Sequence, residues 1–266
     1  MRWLYACILF ILHWSFKIYL SFLDSLHYLK TVFANTSRPN LKTVDCQVKS
    51  LKKLPRNLGM ILPLDAPKDQ LALSIANLAS WCIAAGIPYL TIFSSREFSK
   101  NELANLAQDI VKATEEYFVE CGWKELPVIG ISAISSLVKY ELGTFAARTS
   151  KQQQQRHTPD LRITLLSENS GKHSIAEVSK RMVRRVLNED FEAREIDIST
   201  LDNALSDIPE PQLLLHFGKY LLLEGFPPWQ LRLTEIYNCI HTGKIMYSDF
   251  INAVYRYARC DQRFGK

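Results

Sequence analysis

The chain has 266 residues, of which 47% are hydrophobic and 22% are charged, and its formal net charge is +5. This length allows one domain of ordinary size plus an appendage, and the apolar fraction is sufficient for a sizeable core. The mild positive charge suits an anionic partner such as a diphosphate or a membrane surface. The basic residues form no nucleic-acid-binding signature, which excludes nucleic acid as a partner. The six cysteines show neither metal-ligand pairing nor disulfide-framework spacing, which indicates reduced thiols.

The N-terminal residues 1–30 contain a nearly continuous apolar run, Trp3 to Leu23, of about the length that spans a bilayer. A cleaved signal peptide would have a shorter apolar region and a small-x-small cleavage site, and neither is evident. An interfacial amphipathic helix is an alternative, because Lys17 and the aromatic side chains suit a membrane surface. The length and the Trp/Tyr content favour a single transmembrane anchor.

Basic residues are concentrated after this run, whereas Arg2 stands alone before it. The positive-inside bias therefore predicts that the following domain faces the cytosol. Residues 31–53 are polar and basic without sustained periodicity, which predicts a linker between the anchor and a folded domain at 54–266.

Short apolar runs alternate with longer helical patterns through the body of the chain. Strands are predicted at 58–62, 89–93, 127–131, 161–166 and 213–217, and helices at 71–85, 101–121, 135–145 and 174–187. Residues 149–160, with a run of four glutamines, are predicted to form a solvated loop. Strand–helix–strand alternation is typical of a parallel sheet. The sequence therefore predicts a single α/β domain with a mainly parallel central sheet flanked by helices, preceded by the membrane helix.

The last forty residues are rich in aromatic residues and arginines. Phe250, Val254 and Tyr257 recur at helical spacing and predict a helix that leads to Arg263-Phe264-Gly265. A surface helix with a basic end is the alternative interpretation.

Two segments in this region resemble the cis-prenyltransferases, which lengthen an allylic diphosphate with isopentenyl diphosphate units. They are FPPWQ at 226–230 and TEIY at 234–237, and the RFG at 263–265 resembles the R-x-G tail of the heteromeric members. On these blocks and their order, the chain is identified as a member of the Nogo-B receptor family, the non-catalytic subunits of dehydrodolichyl diphosphate synthase. The similarity extends from about Leu54 to Lys266.

The resemblance implies that the catalytic aspartate is missing. In the catalytic enzymes the first strand ends in Asp-Gly-Asn, and the carboxylate works with Mg²⁺ on the diphosphates. Here Pro63 stands at the aspartate position, and Asp65, two residues on, is not expected to replace it.

The second phosphate-binding block is changed as well. Catalytic members read R-T-S-G-E-x-R-x-S-N-F, and ungapped counting back from Trp229 places His216 and Leu222 at the two arginine positions and Tyr220 at the glutamate. Leucine and histidine cannot supply the bidentate contacts of two guanidinium groups. The chain is therefore not expected to be active alone.

The resemblance also implies roles for the residues that remain. The tail would reach across the subunit interface, where Arg263 and the backbone N–H groups around Phe264 and Gly265 would cradle the partner's isopentenyl diphosphate. The partner would hold the Mg²⁺. The residues expected at the dimer interface are Trp229, Arg232, Thr234 and Glu235.

For Trp229 the alternative role is ordinary core packing, and for Arg232 and Glu235 it is a solvated ion pair. The implied function is long-chain polyprenyl diphosphate synthesis for dolichol and protein glycosylation at the endoplasmic reticulum membrane. The alternative functions are a self-sufficient prenyltransferase, and a membrane-anchored receptor or lipid-transport scaffold with a relic fold.

Overall fold

The computed structural model describes most of the chain and divides it into two compact units, Met1–Ser37 and Arg38–Lys266. The described residues are 2–33, 38–62, 68–135, 138–145, 158–190, 192–218, 220–239 and 245–262.

The first unit consists of one helix, α1 (Arg2–Phe33). Between residues 3 and 22 it exposes large apolar side chains, among them Trp3, Phe10, Trp14 and Phe22. Within the described part of the chain, no helix combines the length and the apolarity that crossing a bilayer would require. The anchor at residues 1–30 therefore stays a prediction.

The second unit contains a seven-stranded sheet. Its strands are β1 (Asn57–Ile61), β2 (Tyr89–Phe93), β3 (Ile129–Ser135), β4 (Val138–Phe145), β5 (Leu161–Leu166), β6 (Leu213–Phe217) and β7 (Glu235–Cys239). They are ordered β4-β3-β5-β2-β1-β6-β7, and every neighbouring pair is parallel except β3–β4. All five residues of β1 and of β6 are buried, which explains their continuous apolar runs. The predicted α/β class with a mainly parallel sheet is confirmed.

Helices cover this sheet. They are α2 (Leu41–Val48), α3 (Lys68–Ala85), α4 (Lys100–Glu120), α5 (Lys172–Leu187), α6 (Ile198–Ala204) and α7 (Tyr247–Arg259). Because successive strand residues point to opposite faces, Leu58 and Met60 pack into the cluster under α2, α3, α4 and α7, whereas Ile61 packs into a second cluster with Phe226.

Trp81 of α3 lies at the centre of the larger cluster. Its indole N–H donates to the hydroxyl of Tyr117 over 3.1 Å, and its ring lies 5.7 Å from that of Phe250 in α7. The Tyr117 hydroxyl in turn donates to the Pro39 carbonyl over 2.8 Å. Burial raises the pKa of Tyr117 to about 12, so the hydroxyl stays protonated and serves as a donor at neutral pH.

The helix predicted at residues 135–145 is wrong, because this segment forms the edge strand β4, antiparallel to β3. Tyr140 and Leu142 are half-buried and alternate with the exposed Lys139 and Glu141, which is the two-residue period of a strand. Gly143 has φ +140°, a conformation outside the helical region.

The prediction of a linker at residues 31–53 needs correction, because helix α2 lies within this range. Leu41, Val44 and Val48 recur at helical spacing and are buried, and Asn40 caps the helix by accepting the Lys42 N–H over 3.0 Å. The charged residues between these positions mask the short apolar stripe in the sequence. Residues from Arg38 onward therefore belong to the folded unit, which begins before residue 54.

We expect Val44→Ala to lower the free energy of unfolding by about 2 kcal/mol, because it removes fully buried apolar surface from the contact between α2 and the core. Urea unfolding followed by circular dichroism measures the change. Thr43→Ala, at the exposed neighbouring position, should stay within about 0.5 kcal/mol of the unchanged chain. Equal effects of the two substitutions would show that α2 does not unfold with the core.

Candidate functional site

The carboxyl ends of the parallel strands meet at one edge of the sheet, which is where open α/β sheets bind their ligands. The segments that follow β2, β5 and β6 are described at this edge, and they contain Ser95, Ser167 and Gly218. Pro63 and Asp65, which follow β1, lie outside the described residues.

His216 is buried near the end of β6, and both of its ring nitrogens are occupied. Nδ1 lies 2.6 Å from Oδ1 of Asn238 in β7, and Nε2 accepts the Leu222 N–H over 3.3 Å. Because Asn238 Oδ1 is an acceptor and the Leu222 N–H is a donor, these two contacts fit the tautomer with its proton on Nδ1. His216 therefore holds the β6–β7 edge and the following loop together, and both of its ring nitrogens are used within the chain.

Tyr220 and Leu222, at the other two positions of the phosphate-binding block, are exposed on the loop after β6. Neither side chain carries a positive charge. The described residues 220–223 of this loop therefore present mainly apolar side chains at the edge where the catalytic members are expected to hold their diphosphate.

Two carboxylates at this edge accept hydrogen bonds from the chain itself, and the sequence analysis missed both. The Ser95 hydroxyl donates to the Glu224 carboxylate over 2.9 Å, and the Asn169 N–H donates to Glu97 over 3.3 Å. Glu224 adopts φ +49°, an uncommon conformation for a residue with a side chain, so the turn is held by its surroundings. Carboxylates in these positions repel an incoming diphosphate.

The turn after Glu224 packs against the start of α5. A Cβ atom added to Gly171 would lie 2.0 Å from the Gly225 carbonyl oxygen, so only glycine permits this approach of the two backbones. The turn is thus fixed by the Ser95–Glu224 hydrogen bond on one side and by the Gly171 contact on the other.

The cavity against the ends of β3 and β5 is small. Its volume is about 30 Å³, and Phe98, Ile134 and Leu166 are among the residues that line it. One water molecule needs about 10–15 Å³ in this measure, so the cavity has room for a few water molecules and not for a prenyl chain. A larger cavity of about 470 Å³ opens between α3 and α4, but charged side chains, including Asp109 and Lys112, line part of it.

The residues predicted for the dimer interface lie before and at the start of β7. Arg232 and Trp229 share Asp202: the Arg232 guanidinium donates to Oδ1 over 2.7 Å, and the Trp229 indole N–H donates to the same atom over 2.6 Å. The guanidinium also lies 4.6 Å from the centroid of the Trp229 ring. Thr234 instead donates to the Pro211 carbonyl over 2.6 Å. The structure therefore brings Trp229 and Arg232 together, and the interface assignment stays a prediction.

Arg263, Phe264 and Gly265 lie outside the described residues, but the residue before them is placed. Gln262 lines a cavity of about 220 Å³ together with Asn57, Gln212 and Thr234. These three residues are at or just before the starts of β1, β6 and β7, so Gln262 lies at the amino edge of the sheet. The tail thus begins at the end opposite to His216 and Glu224.

A magnesium ion needs several converging oxygen ligands. Within the described ranges, no three His, Cys, Asp or Glu side chains converge as a metal site would require. All six cysteines are free thiols, and burial raises the pKa of Cys82 and Cys239 well above the ordinary range.

Proteins of known family resemble this chain in sequence. Residues 68–265 match the protein family described as putative undecaprenyl diphosphate synthase. The dehydrodolichyl diphosphate synthase complex subunit Nus1 of Mus musculus is 30% identical over 222 residues, which cover 82% of this chain and 68% of that protein. The corresponding subunit NUS1 of Saccharomyces cerevisiae is 28% identical over 255 residues, covering 91% of this chain and 67% of that one.

Solved structures share the fold. Lavandulyl diphosphate synthase from Lavandula x intermedia superposes with a TM-score of 0.57 and 18% identity, covering 80% of this chain and 99% of that chain. The family match over most of the length and the identity to the mouse subunit show that this chain belongs to the undecaprenyl diphosphate synthase-like family, and they confirm its resemblance to the dehydrodolichyl diphosphate synthase complex subunits.

Proposed function

We propose that this chain is the accessory subunit of a heteromeric cis-prenyltransferase, without catalytic activity of its own but required for that of its partner. The observation that carries the proposal is that His216, at the position expected for a diphosphate-binding arginine, is buried and hydrogen-bonded on both ring nitrogens. With Leu222 exposed at the second arginine position, the edge of the sheet has no guanidinium clamp there.

The carboxylates at the same edge support an inactive site. Glu224 and Glu97 accept hydrogen bonds from Ser95 and from the Asn169 backbone, which are donors of the kind that an anionic ligand would otherwise use. A diphosphate entering here would find these donors already bonded to the two carboxylates, and the two negative charges would repel it.

The point where the tail begins supports its action on another chain. From Arg56 to Leu62, β1 and its flanks rise about 20 Å at about 3.3 Å per residue. Gln262, the last described residue before the tail, lies at the opposite, amino edge of the sheet. This position of Gln262 supports a tail that acts on a partner's diphosphate site and not on the carboxyl edge of its own sheet.

The partner in this proposal supplies the catalytic aspartate, the arginines, the Mg²⁺ and the prenyl tunnel. The complex condenses isopentenyl diphosphate onto farnesyl diphosphate and makes the long-chain polyprenyl diphosphate from which dolichol is formed for protein glycosylation. The exposed aromatic and aliphatic side chains of α1 suit contact with the endoplasmic reticulum membrane, with the folded domain in the cytosol.

The test is incorporation of labelled isopentenyl diphosphate into polyprenyl product by this chain, by its candidate partner and by the two co-purified. We expect strong incorporation only in the mixture. Magnesium-dependent elongation by the purified chain alone would contradict the loss of its own site. Equal activity of the partner with and without the chain would favour the receptor or scaffold function.

We expect Ile236→Asp to weaken assembly with the partner by about tenfold or more. Ile236 and Leu233 are exposed apolar residues that follow the Trp229–Arg232 pair in the sequence. A carboxylate buried in such a contact would lose its hydration without gaining a charged or hydrogen-bonding partner. Titration of the labelled partner by biolayer interferometry measures the affinity. Val119→Asp, at an exposed apolar position on α4, serves as the matched control. If both substitutions had the same effect, the interface would not include the start of β7.

A further inference from the structure

We infer that Lys53 and Glu235 are positioning residues for the tail, because together they clamp Cys260, three residues before Arg263. This inference rests on the proposed function, in which Arg263 contacts the partner's isopentenyl diphosphate. Lys53 lies in the segment before β1, and Glu235 is the first residue of β7. Two separate parts of the folded unit therefore contact the residue from which the tail continues.

The first half of the clamp is Lys53. Its ammonium group donates a hydrogen bond to the Cys260 carbonyl oxygen. The same ammonium lies 4.8 Å from the centroid of the Tyr257 ring, one turn earlier on α7. Tyr257 is buried, so the end of α7 offers Lys53 a fixed aromatic face as well as a carbonyl acceptor.

The second half is Glu235, whose carboxylate accepts a hydrogen bond from the Cys260 thiol. This hydrogen bond is the main cause that raises the pKa of the thiol, which keeps it protonated as a donor. Glu235 is itself held by the sheet: its N–H donates to the Gln212 carbonyl over 3.0 Å, and it pairs with Leu213 of β6. Cys260 is thus contacted through both its carbonyl and its side chain.

Cys260 is also the residue at which the chain leaves α7. Its φ of −72° and ψ of 129° are extended, whereas its N–H still bonds to the Tyr257 carbonyl over 3.1 Å. The direction taken at this residue sets where the following residues go. In this proposal, a fixed exit direction reduces the conformational freedom of the tail before it binds. The loss of conformational entropy on binding isopentenyl diphosphate is then smaller.

The experiment uses the complex of this chain with its catalytic partner. Lys53→Met keeps the apolar stem and removes the charge and the donors, and we expect it to raise the KM for isopentenyl diphosphate about fivefold to tenfold with assembly unchanged. Lys53→Arg should restore most of the affinity. Lys52→Met, at the exposed neighbouring position, is the matched control and should leave KM unchanged. Size-exclusion chromatography with light scattering checks assembly.

A double-mutant cycle with Arg263→Ala separates the clamp from a general structural effect. If Lys53 acts through the tail, Lys53→Met should cause no further loss once Arg263 is alanine. Additive losses, an unchanged KM for Lys53→Met, or loss of assembly in that variant would each overturn the positioning role. An Arg263→Ala complex with normal KM and turnover would instead overturn the proposed function of the tail, so the two failures are distinguishable.

Discussion

Replacing Arg263 with alanine should lower isopentenyl diphosphate turnover by the co-purified complex by about 10- to 100-fold while the subunits stay assembled. A hydrogen bond between charged partners contributes about 1.5–3 kcal/mol, which corresponds to this range. The effect should appear mainly in kcat/KM for isopentenyl diphosphate, because the proposed contact is with that substrate. Initial rates with labelled isopentenyl diphosphate at saturating farnesyl diphosphate measure it.

The controls distinguish charge from geometry. Arg263→Lys keeps the charge but not the planar fork, so an intermediate activity is expected. Arg259→Ala removes an exposed guanidinium from the last turn of α7 and should leave turnover nearly unchanged. Normal turnover in the Arg263→Ala complex would mean that the tail does not complete the partner's site.

Much of the fold could be predicted because the central strands of the sheet are buried on both faces. β1 and β6 read as continuous apolar runs, and such runs between helical patterns indicate a parallel sheet. The two incorrect predictions, the helix at 135–145 and the linker at 31–53, concern segments whose apolar pattern is weaker. β4 is an edge strand whose alternation is only half-buried, and α2 has three apolar positions spaced among charged residues.

The candidate site was predictable only in part. The sequence predicts that His216 and Leu222 do not bind diphosphate, because their residue types lack a guanidinium group, and this stays a prediction. It could not predict that His216 would be held by Asn238, since that pairing depends on the register of β6 against β7. The Ser95–Glu224 contact joins residues far apart in sequence, and no local pattern connects them.

Contacts of Cys260, three residues before Arg263, could not be predicted from the sequence either, because they join distant parts of the chain. Glu235 is predicted at a subunit interface. We propose a second role for it within the chain, because hydrogen bonding to its carboxylate raises the pKa of the Cys260 thiol at the neighbouring helix end. A residue that both borders the partner and orients the tail would couple assembly to completion of the active site.

The turn that contains Glu224 allows a test of the proposal that this edge of the sheet does not bind diphosphate. We expect Gly171→Ala to lower the free energy of unfolding by about 3 kcal/mol, the upper part of the usual range for overpacking, because its Cβ would lie 2.0 Å from the Gly225 carbonyl oxygen. That oxygen belongs to the backbone next to Glu224, which Ser95 holds, so the turn cannot move away without breaking this hydrogen bond.

Gly130→Ala is the matched control for this substitution. Its Cβ would meet Pro159 at 3.4 Å, an ordinary contact, and φ is not positive, so a change within about 1 kcal/mol is expected. Chemical denaturation of the two variants measures both values. Equal stability of Gly171→Ala and Gly130→Ala would show that the turn at Gly225 is free to shift. A free turn would mean that Glu224 can leave the edge of the sheet, and the carboxylate would then no longer support the proposal that this edge excludes diphosphate.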